Sequence, residues 1–219
     1  MPDSSSVSCS VIPRPTLERL PRYLNYLRTR RAEGCEQTSS AAIAQDLKLT
    51  AIQVRKDLAY VGSGKPRTGH SVCELIEQLE SFLGYDDAKD AVLVGVGHLG
   101  QALLAYNGFA DYGLNILAAF DTDESLAGKR INGKPIFSSD RLIQLTSRLA
   151  ATLGIITVPA KYAQDVCDQL VSAGVCGILN FAPVHLSVPE DVLVRNVDIA
   201  AQMALLSSSL RELHIKRDS

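Results

Sequence analysis

The apolar positions of this chain follow two regimes. From Thr16 to Gly84 they recur three and four residues apart, the period of a helix with one buried face. From Ala91 onward they come in short continuous runs separated by helical stretches, the mark of parallel strands buried on both faces. In the first regime Leu17, Leu20, Leu24 and Leu27, with Tyr23 alongside, predict an amphipathic helix over residues 16–33. Pro21 should end or kink it, unless it opens the main helix at its first turn. Gly34 marks the stop, and Arg28, Arg30 and Arg31 read as a solvated cationic helix end. Thr38-Ser39-Ser40 offers caps for a short helix over residues 41–47, Lys48-Leu49 turns the chain, and Thr50 caps a third helix over residues 51–60. Three short helices joined this tightly predict a helix-turn-helix. The third helix offers Gln53, Arg55, Lys56 and Asp57. Gln53 can pair with adenine and Arg55 with guanine in a major groove, and Lys56 can meet phosphate. Residues 62–69 form a basic loop, a candidate wing whose Lys65 and Arg67 would meet the DNA backbone or minor groove. Residues 71–84 predict another amphipathic helix, and residues 85–90 a polar linker.

In the second regime the apolar run Ala91 to Val94 ends in Gly95-Val96-Gly97-His98-Leu99-Gly100, and residues 101–106 read as helix. In such a turn the first glycine permits the bend, the second lets the backbone approach a pyrophosphate, and the third lets helix and strand pack closely. The helix N-terminus adds free N–H groups and a positive dipole end. The motif alone is weak, but its context strengthens it. Leu114 to Phe120 reads as a second strand, and Asp121 at its end lies 21 residues past Gly100. That is near the spacing of an acid that holds a ribose 2′-hydroxyl and repels a 2′-phosphate, which favours NAD(H) over NADP(H). The competing role for Asp121 is a helix N-cap before Thr122-Asp123-Glu124. Strands follow at 133–137, 153–158, 175–180 and 193–197, with helices at 140–149 and 160–173 and a terminal helix at 198–213. The alternation predicts an α/β fold, a Rossmann-type doubly wound parallel sheet behind a winged helix-turn-helix domain. The terminal helix is more apolar than a solvated end needs, leaving two options: an oligomer contact or packing on its own sheet.

Charge sharpens the division. The 219 residues carry a net charge of −2, yet residues 13–70 hold 11 Lys and Arg against 5 Asp and Glu, net +6. The remainder holds 11 against 19, net −8. A basic first quarter on an acidic remainder points to an anionic polymer, double-stranded DNA, as partner of the first segment alone. The resulting divisions are a Ser-rich disordered lead at 1–12, a DNA-binding domain at 13–84, a dinucleotide domain at 85–197 and a terminal helix at 198–219. No apolar run is long enough to span a membrane, and the lead lacks the pattern of a secretory signal. Five cysteines form no CxxC pair and no ligand cluster, so reduced thiols in a cytoplasm and no metal are expected. A nicotinamide-dependent dehydrogenase is one competing reading. It lacks an acid–base partner, because His70, His98, His185 and His214 fall in the wing, the glycine loop, a loop and the tail. A sensor of another nucleotide ligand, such as a CoA ester, is a second.

Taken jointly, several stretches point further. They are Leu20-Pro21-Arg22-Tyr23-Leu24, Gln53-Val54-Arg55-Lys56-Asp57-Leu58, the glycine loop, Ala119-Phe120-Asp121, Thr157-Val158-Pro159-Ala160, Gly177-Ile178-Leu179-Asn180-Phe181-Ala182-Pro183 and Asn196-Val197-Asp198. In this order the chain resembles the Rex redox-sensing transcriptional repressors from about Ile12 to Leu213. The resemblance implies a homodimer with a C-terminal helix exchanged between subunits, released from operator DNA by NADH, with NAD⁺ competing but permitting binding. It implies that Arg55 and Lys56 contact DNA, that residues 95–100 hold the pyrophosphate and Asp121 the ribose, and that Pro159 borders the cofactor loop. Phe181 would approach the nicotinamide region across the dimer, and Tyr106 and Asp198 would join a ligand-sensitive polar contact between domains. Two positions depart from the family pattern: Arg67-Thr68-Gly69-His70 is one residue and one glycine short of the usual wing, and Asn25 stands where members often carry Arg.

Overall fold

A computed structural model describes residues 12–62, 69–85, 87 and 89–217. They form two compact units, one running through Asp87 and the other from Ala88 onward.

The first unit is helical. Its elements are α1 (Arg14–Ala32), β1 (Gln37–Thr38), α2 (Ser40–Leu47), α3 (Ala51–Val61), β2 (His70–Ser71) and α4 (Val72–Leu83). Hydroxyls start three of the helices, those of α2 and α3 as the sequence predicts. Ser39 accepts the Ala42 N–H at 3.1 Å, Thr50 the Gln53 N–H at 3.2 Å, and Ser71 the Glu74 N–H at 3.4 Å. Lys48, at φ +56°, closes α2 in the left-handed region and makes the turn into α3. Leu20, Tyr23, Leu24 and Leu27 of α1 pack with Ile43, Val54, Leu58, Leu75, Ile76 and Leu79.

Pro21 neither ends nor opens the helix, because α1 runs straight through it. An interior proline costs about 3 kcal/mol. Burying each large side chain on the same face returns about 1.5–3 kcal/mol, and four of them require one continuous helix. Arg28 is also no solvated end, since its Nη2 lies 2.7 Å from Glu80 Oε1 and ties α1 to α4. β1 and β2 pair antiparallel, Gln37 with Ser71 and Thr38 with His70, a ladder too short to show in the sequence pattern. The lead and the wing positions Lys65 and Arg67 lie outside the described residues.

The second unit contains β3 (Lys89–Val94), α5 (His98–Ala105), β4 (Leu114–Asp121), β5 (Arg130–Ile131), β6 (Lys134–Ser138), α6 (Leu142–Leu149), β7 (Leu153–Ile156), α7 (Ala160–Ser172), β8 (Gly177–Asn180), β9 (Leu193–Asn196) and α8 (Ile199–Arg217). The sheet order is β5-β6-β4-β3-β7-β8-β9, and every pairing is parallel except the β5–β6 hairpin. Alternate residues of each strand face opposite sides. Val92, Val94, Phe120 and Ile156 therefore pack under α6 and α7, while Ala91, Leu93, Ala119 and Ile155 share the other face with Leu104 of α5.

Several boundaries move. β3 begins at Lys89, inside the expected linker, because Lys89 and Asp90 pair with Leu114 and Asn115. α5 begins at His98, three residues before the expected start. The hairpin turns on Asn132-Gly133 at φ +48° and +77°, the Asn-Gly signal of a tight two-residue turn. α8 does not pack on its own sheet: residues 199–210 are all exposed, Met203 and Leu205 each at 63%.

Candidate functional site

The sheet order reverses at β3, with β4 and β6 on one side and β7, β8 and β9 on the other. In doubly wound sheets ligands settle outside the carboxyl ends of the strands at such a reversal. A cleft of about 910 Å³ lies there, bordered by Gly95, Gly97, Asp121, Thr157, Val158 and Pro159.

The three glycines have distinct reasons. Gly95 sits at φ +99°, and a Cβ on it would meet the Thr157 carbonyl carbon and Val158 Cγ1 at 2.9 Å. A Cβ on Gly100 would lie 1.9 Å from the Gly95 carbonyl oxygen. A Cβ on Gly97 would meet nothing within 4 Å, so there the backbone borders open space into which a ligand can come close. The loop is fastened from both sides. Thr157 Oγ1 lies 2.6 Å from the Gly95 oxygen, and the Gln101 side-chain amide donates to the Val96 oxygen at 2.9 Å.

The helix N-cap expected as the competing role of Asp121 does not form, because residues 122–128 make turns rather than a helix, yet the carboxylate is fastened at both oxygens. One oxygen accepts the Val96 N–H of the glycine loop, and the other accepts the Asp123 N–H at 2.8 Å. The carboxylate is half-buried and still borders the cleft, with lone pairs left for a hydroxyl.

Among the described residues the cleft wall carries Asp121, Asp140 and Asp165 and no Lys or Arg. The groups there that could attract an anion are the backbone N–H groups at the starts of α5 and α7. Neither helix has a side-chain cap, and their cap residues Gly97 and Pro159 both border the cleft. The residues present fit a dinucleotide diphosphate, and the carboxylates disfavour a further phosphate.

The remaining predicted residues fall at different places. Val96 is buried and acts through its N–H, while His98 and Leu99 are exposed on the first turn of α5. Phe181 does not border the cleft; it is half-buried and packs against the core on the α5 face. Tyr106 is 57% exposed and stacks edge-on against Phe109 at 5.2 Å. Asp198 caps α8 by accepting the Ala201 N–H at 2.8 Å. No hydrogen bond joins Tyr106 to Asp198 among the described residues.

In the first unit α2, the Lys48-Leu49 turn and α3 make the helix-turn-helix. Arg55 and Lys56 are exposed, and Gln53 is half-buried. A groove of about 400 Å³ runs between the start of α1 and α3, bordered by Arg19, Ile52, Gln53, Lys56 and Tyr60.

Asp57, which the sequence placed among the outward residues, is only 2% exposed. Thr16 donates to it at 2.9 Å, Arg19 through Nε and Nη2 at 2.7 and 2.8 Å, and Tyr23 at 2.6 Å. Burial pushes the Asp57 carboxyl up, but the bonds from Arg19, Tyr23 and Thr16 outweigh it and hold it below the usual carboxylate range. Burial and the same carboxylate push the Tyr23 hydroxyl up to about 12. The bond to Asp57 raises Arg19 further still. A signal for Asp57 was present: it lies three residues after Val54 and one before Leu58, on the inward face of α3.

Among the described residues no group of His, Cys, Asp or Glu could hold a metal ion, and no helix is long and apolar enough to cross a membrane.

Comparison with known proteins matches both units. Residues 11–59 match a family model described as a DNA-binding protein N-terminus, and residues 86–184 match one described as a CoA binding domain. The redox-sensing transcriptional repressor Rex of Bacteroides thetaiotaomicron is 40% identical over 211 residues, 96% of this chain and 96% of that protein. The Rex of Carboxydothermus hydrogenoformans is 44% identical over 201 residues, 91% of this chain and 97% of that one. Among solved structures, RSP in complex with NAD⁺ and operator DNA superposes with a TM-score of 0.88 at 31% identity, covering 95% of this chain and 97% of RSP. RSP in complex with NADH gives 0.87 at 31% identity, covering 95% and 99%.

Proposed function

The chain belongs to the Rex family of redox-sensing transcriptional repressors, and from that premise we propose that it binds operator DNA as a homodimer and lets go when NADH occupies its cleft. The relatives are named repressors, and the chain is a regulator rather than an enzyme. One observation carries the reading: a cleft bordered by a glycine loop and by Asp121 shares a chain with a basic helix-turn-helix. Although the model matched at residues 86–184 is described by CoA binding, the full-length relatives favour NAD(H).

In this reading residues 13–84 bind DNA, residues 85–197 bind NAD(H), and residues 198–219 hold the dimer together in the cytoplasm. Gln53 and Arg55 read bases, while Lys56, Lys65 and Arg67 meet the backbone or minor groove. The backbone from Gly95 to Gly100 takes the pyrophosphate and Asp121 the ribose, with Thr157, Val158 and Pro159 bordering the ligand. Phe181 reaches the nicotinamide region from across the dimer, and Tyr106 and Asp198 carry the coupling. Two surfaces support a dimer built through α8. One is its own exposed row of Ile199, Met203, Leu206 and Leu210. The other is an apolar pocket of about 310 Å³ on the sheet beside Leu193, itself 75% exposed. Open apolar surface of this kind marks an interaction site.

A dimer can set two recognition helices one DNA turn apart, roughly 34–36 Å, in one arrangement only. A ligand that prefers another arrangement weakens DNA binding, and DNA weakens that ligand by the same factor. Titrating an operator complex with NADH should lower DNA affinity about 5- to 150-fold, with NAD⁺ far less effective. Unchanged affinity, or oxidation of NADH in turnover with a substrate, would reject the sensor.

A further inference from the structure

We propose that Ile52 is a specificity-determining residue that reads the C5-methyl group of a thymine in the major groove of the operator. The inference rests on the DNA-binding reading and goes beyond it, because the contacts assigned so far are polar or charged.

α3 turns its buried row, Val54, Asp57 and Leu58, toward the core. Ile52 precedes Val54 by two residues, roughly 200° around the helix, so it stands near the middle of the opposite face. Val54 and Leu58 are 0% and 1% exposed, whereas Ile52 is 62% exposed. Lys56 follows it one turn later on the same side, and Arg55 is also exposed. Ile52, Gln53 and Lys56 border one shallow groove. A large aliphatic side chain thus sits at the centre of a cationic face, in water.

Its position in the helix narrows what could cover it. Ile52 is the second residue of α3, two positions after the Thr50 cap, and the first turn of a recognition helix is the part that reaches base edges. Phosphates and the polar edges of guanine, cytosine and adenine offer nothing to a side chain without donor or acceptor. The thymine methyl is the one apolar group exposed in the major groove. Burying Ile52 against it removes apolar surface from water on both partners. The flanking cations supply the attraction that brings the DNA there.

The test uses the full-length protein without NADH. A duplex is selected from a randomised pool, and its thymines are replaced by uracil one at a time, which removes only the methyl. Wild type is expected to lose about fourfold in affinity for one thymine of each half-site, the contribution of one buried methyl. Ile52→Ala should bind the selected duplex more weakly and be indifferent to that same replacement. Ile52→Val, which keeps a branched apolar tip, should retain the uracil penalty, and thermal melting verifies that both variants fold. If no uracil position separates wild type from Ile52→Ala, the methyl contact is overturned while operator binding stands. If no duplex is selected at all, the DNA-binding reading fails, and the proposal fails with it.

Discussion

Each unit of this chain is organised about an aspartate, and the two are satisfied in opposite ways. Asp57 is buried and accepts from three side chains, Thr16, Arg19 and Tyr23, that all belong to α1. Asp121 is half-buried and accepts only backbone N–H groups, from Val96 and Asp123, with its remaining side open to the cleft. The first arrangement leaves no capacity for a ligand. It makes the carboxylate a clamp that holds the recognition helix α3 on α1. The second holds a carboxylate still while leaving acceptor capacity unused, as a binding site requires. A carboxylate's role therefore depends on which of its lone pairs the fold consumes.

Substitutions should separate the two cases, beginning with the largest effect. Asp57→Ala leaves Arg19 beside a buried gap without its partner, and should destabilise the first unit by about 3–5 kcal/mol in urea unfolding. A loss under about 1 kcal/mol would reduce the network to the rank of a surface ion pair. Asp121→Ala should instead weaken NADH by about 1.5–3 kcal/mol in titration calorimetry and narrow its advantage over NADPH. An unchanged preference would mean that Asp121 only fastens the loop.

Within the cleft, Gly100→Ala places a Cβ against the Gly95 oxygen and should cost the second unit about 1–3 kcal/mol of stability. Gly97→Ala meets no protein atom, so its melting temperature should hold while NAD(H) affinity drops. Equal melting shifts in the two variants would contradict that division of labour.

The smallest effect is expected at Tyr23. Tyr23→Phe removes one of the donors to Asp57 and should cost about 0.5–1.5 kcal/mol. Its pH dependence has a definite sign. The folded hydroxyl titrates near 12 against about 10 when unfolded, so its contribution is complete below pH 10 and is lost as pH rises toward 12. Asp57 is shifted downward, so its contribution is present above pH ~4 and is lost on further acidification. Wild type should weaken at both extremes, and Tyr23→Phe should show a smaller alkaline loss, the part that remains including Tyr26, whose hydroxyl is also raised by burial and by Asp46.

Much of this was legible along the chain because it depends on neighbours. The caps at Ser39, Thr50 and Ser71, the left-handed glycine at 95 and the strand runs that place Asp121 are local consequences of side-chain type and spacing. The Asn132-Gly133 hairpin is equally local, a two-residue turn set by its own residue types. Other features were decided by groups far apart in sequence. Pro21 stays inside α1 because four side chains on that helix face a core completed by α3 and α4. Asp57 turns inward because Thr16, Arg19 and Tyr23, 34 to 41 residues away, supply the donors that make a buried carboxylate tolerable. The apolar composition of α8 was visible from the start, but only the packed sheet, which leaves residues 199–210 uncovered, decided that the sheet is not what covers it. Periodicity states which face of an element is apolar; what covers that face depends on tertiary contacts, which neither spacing nor composition contains.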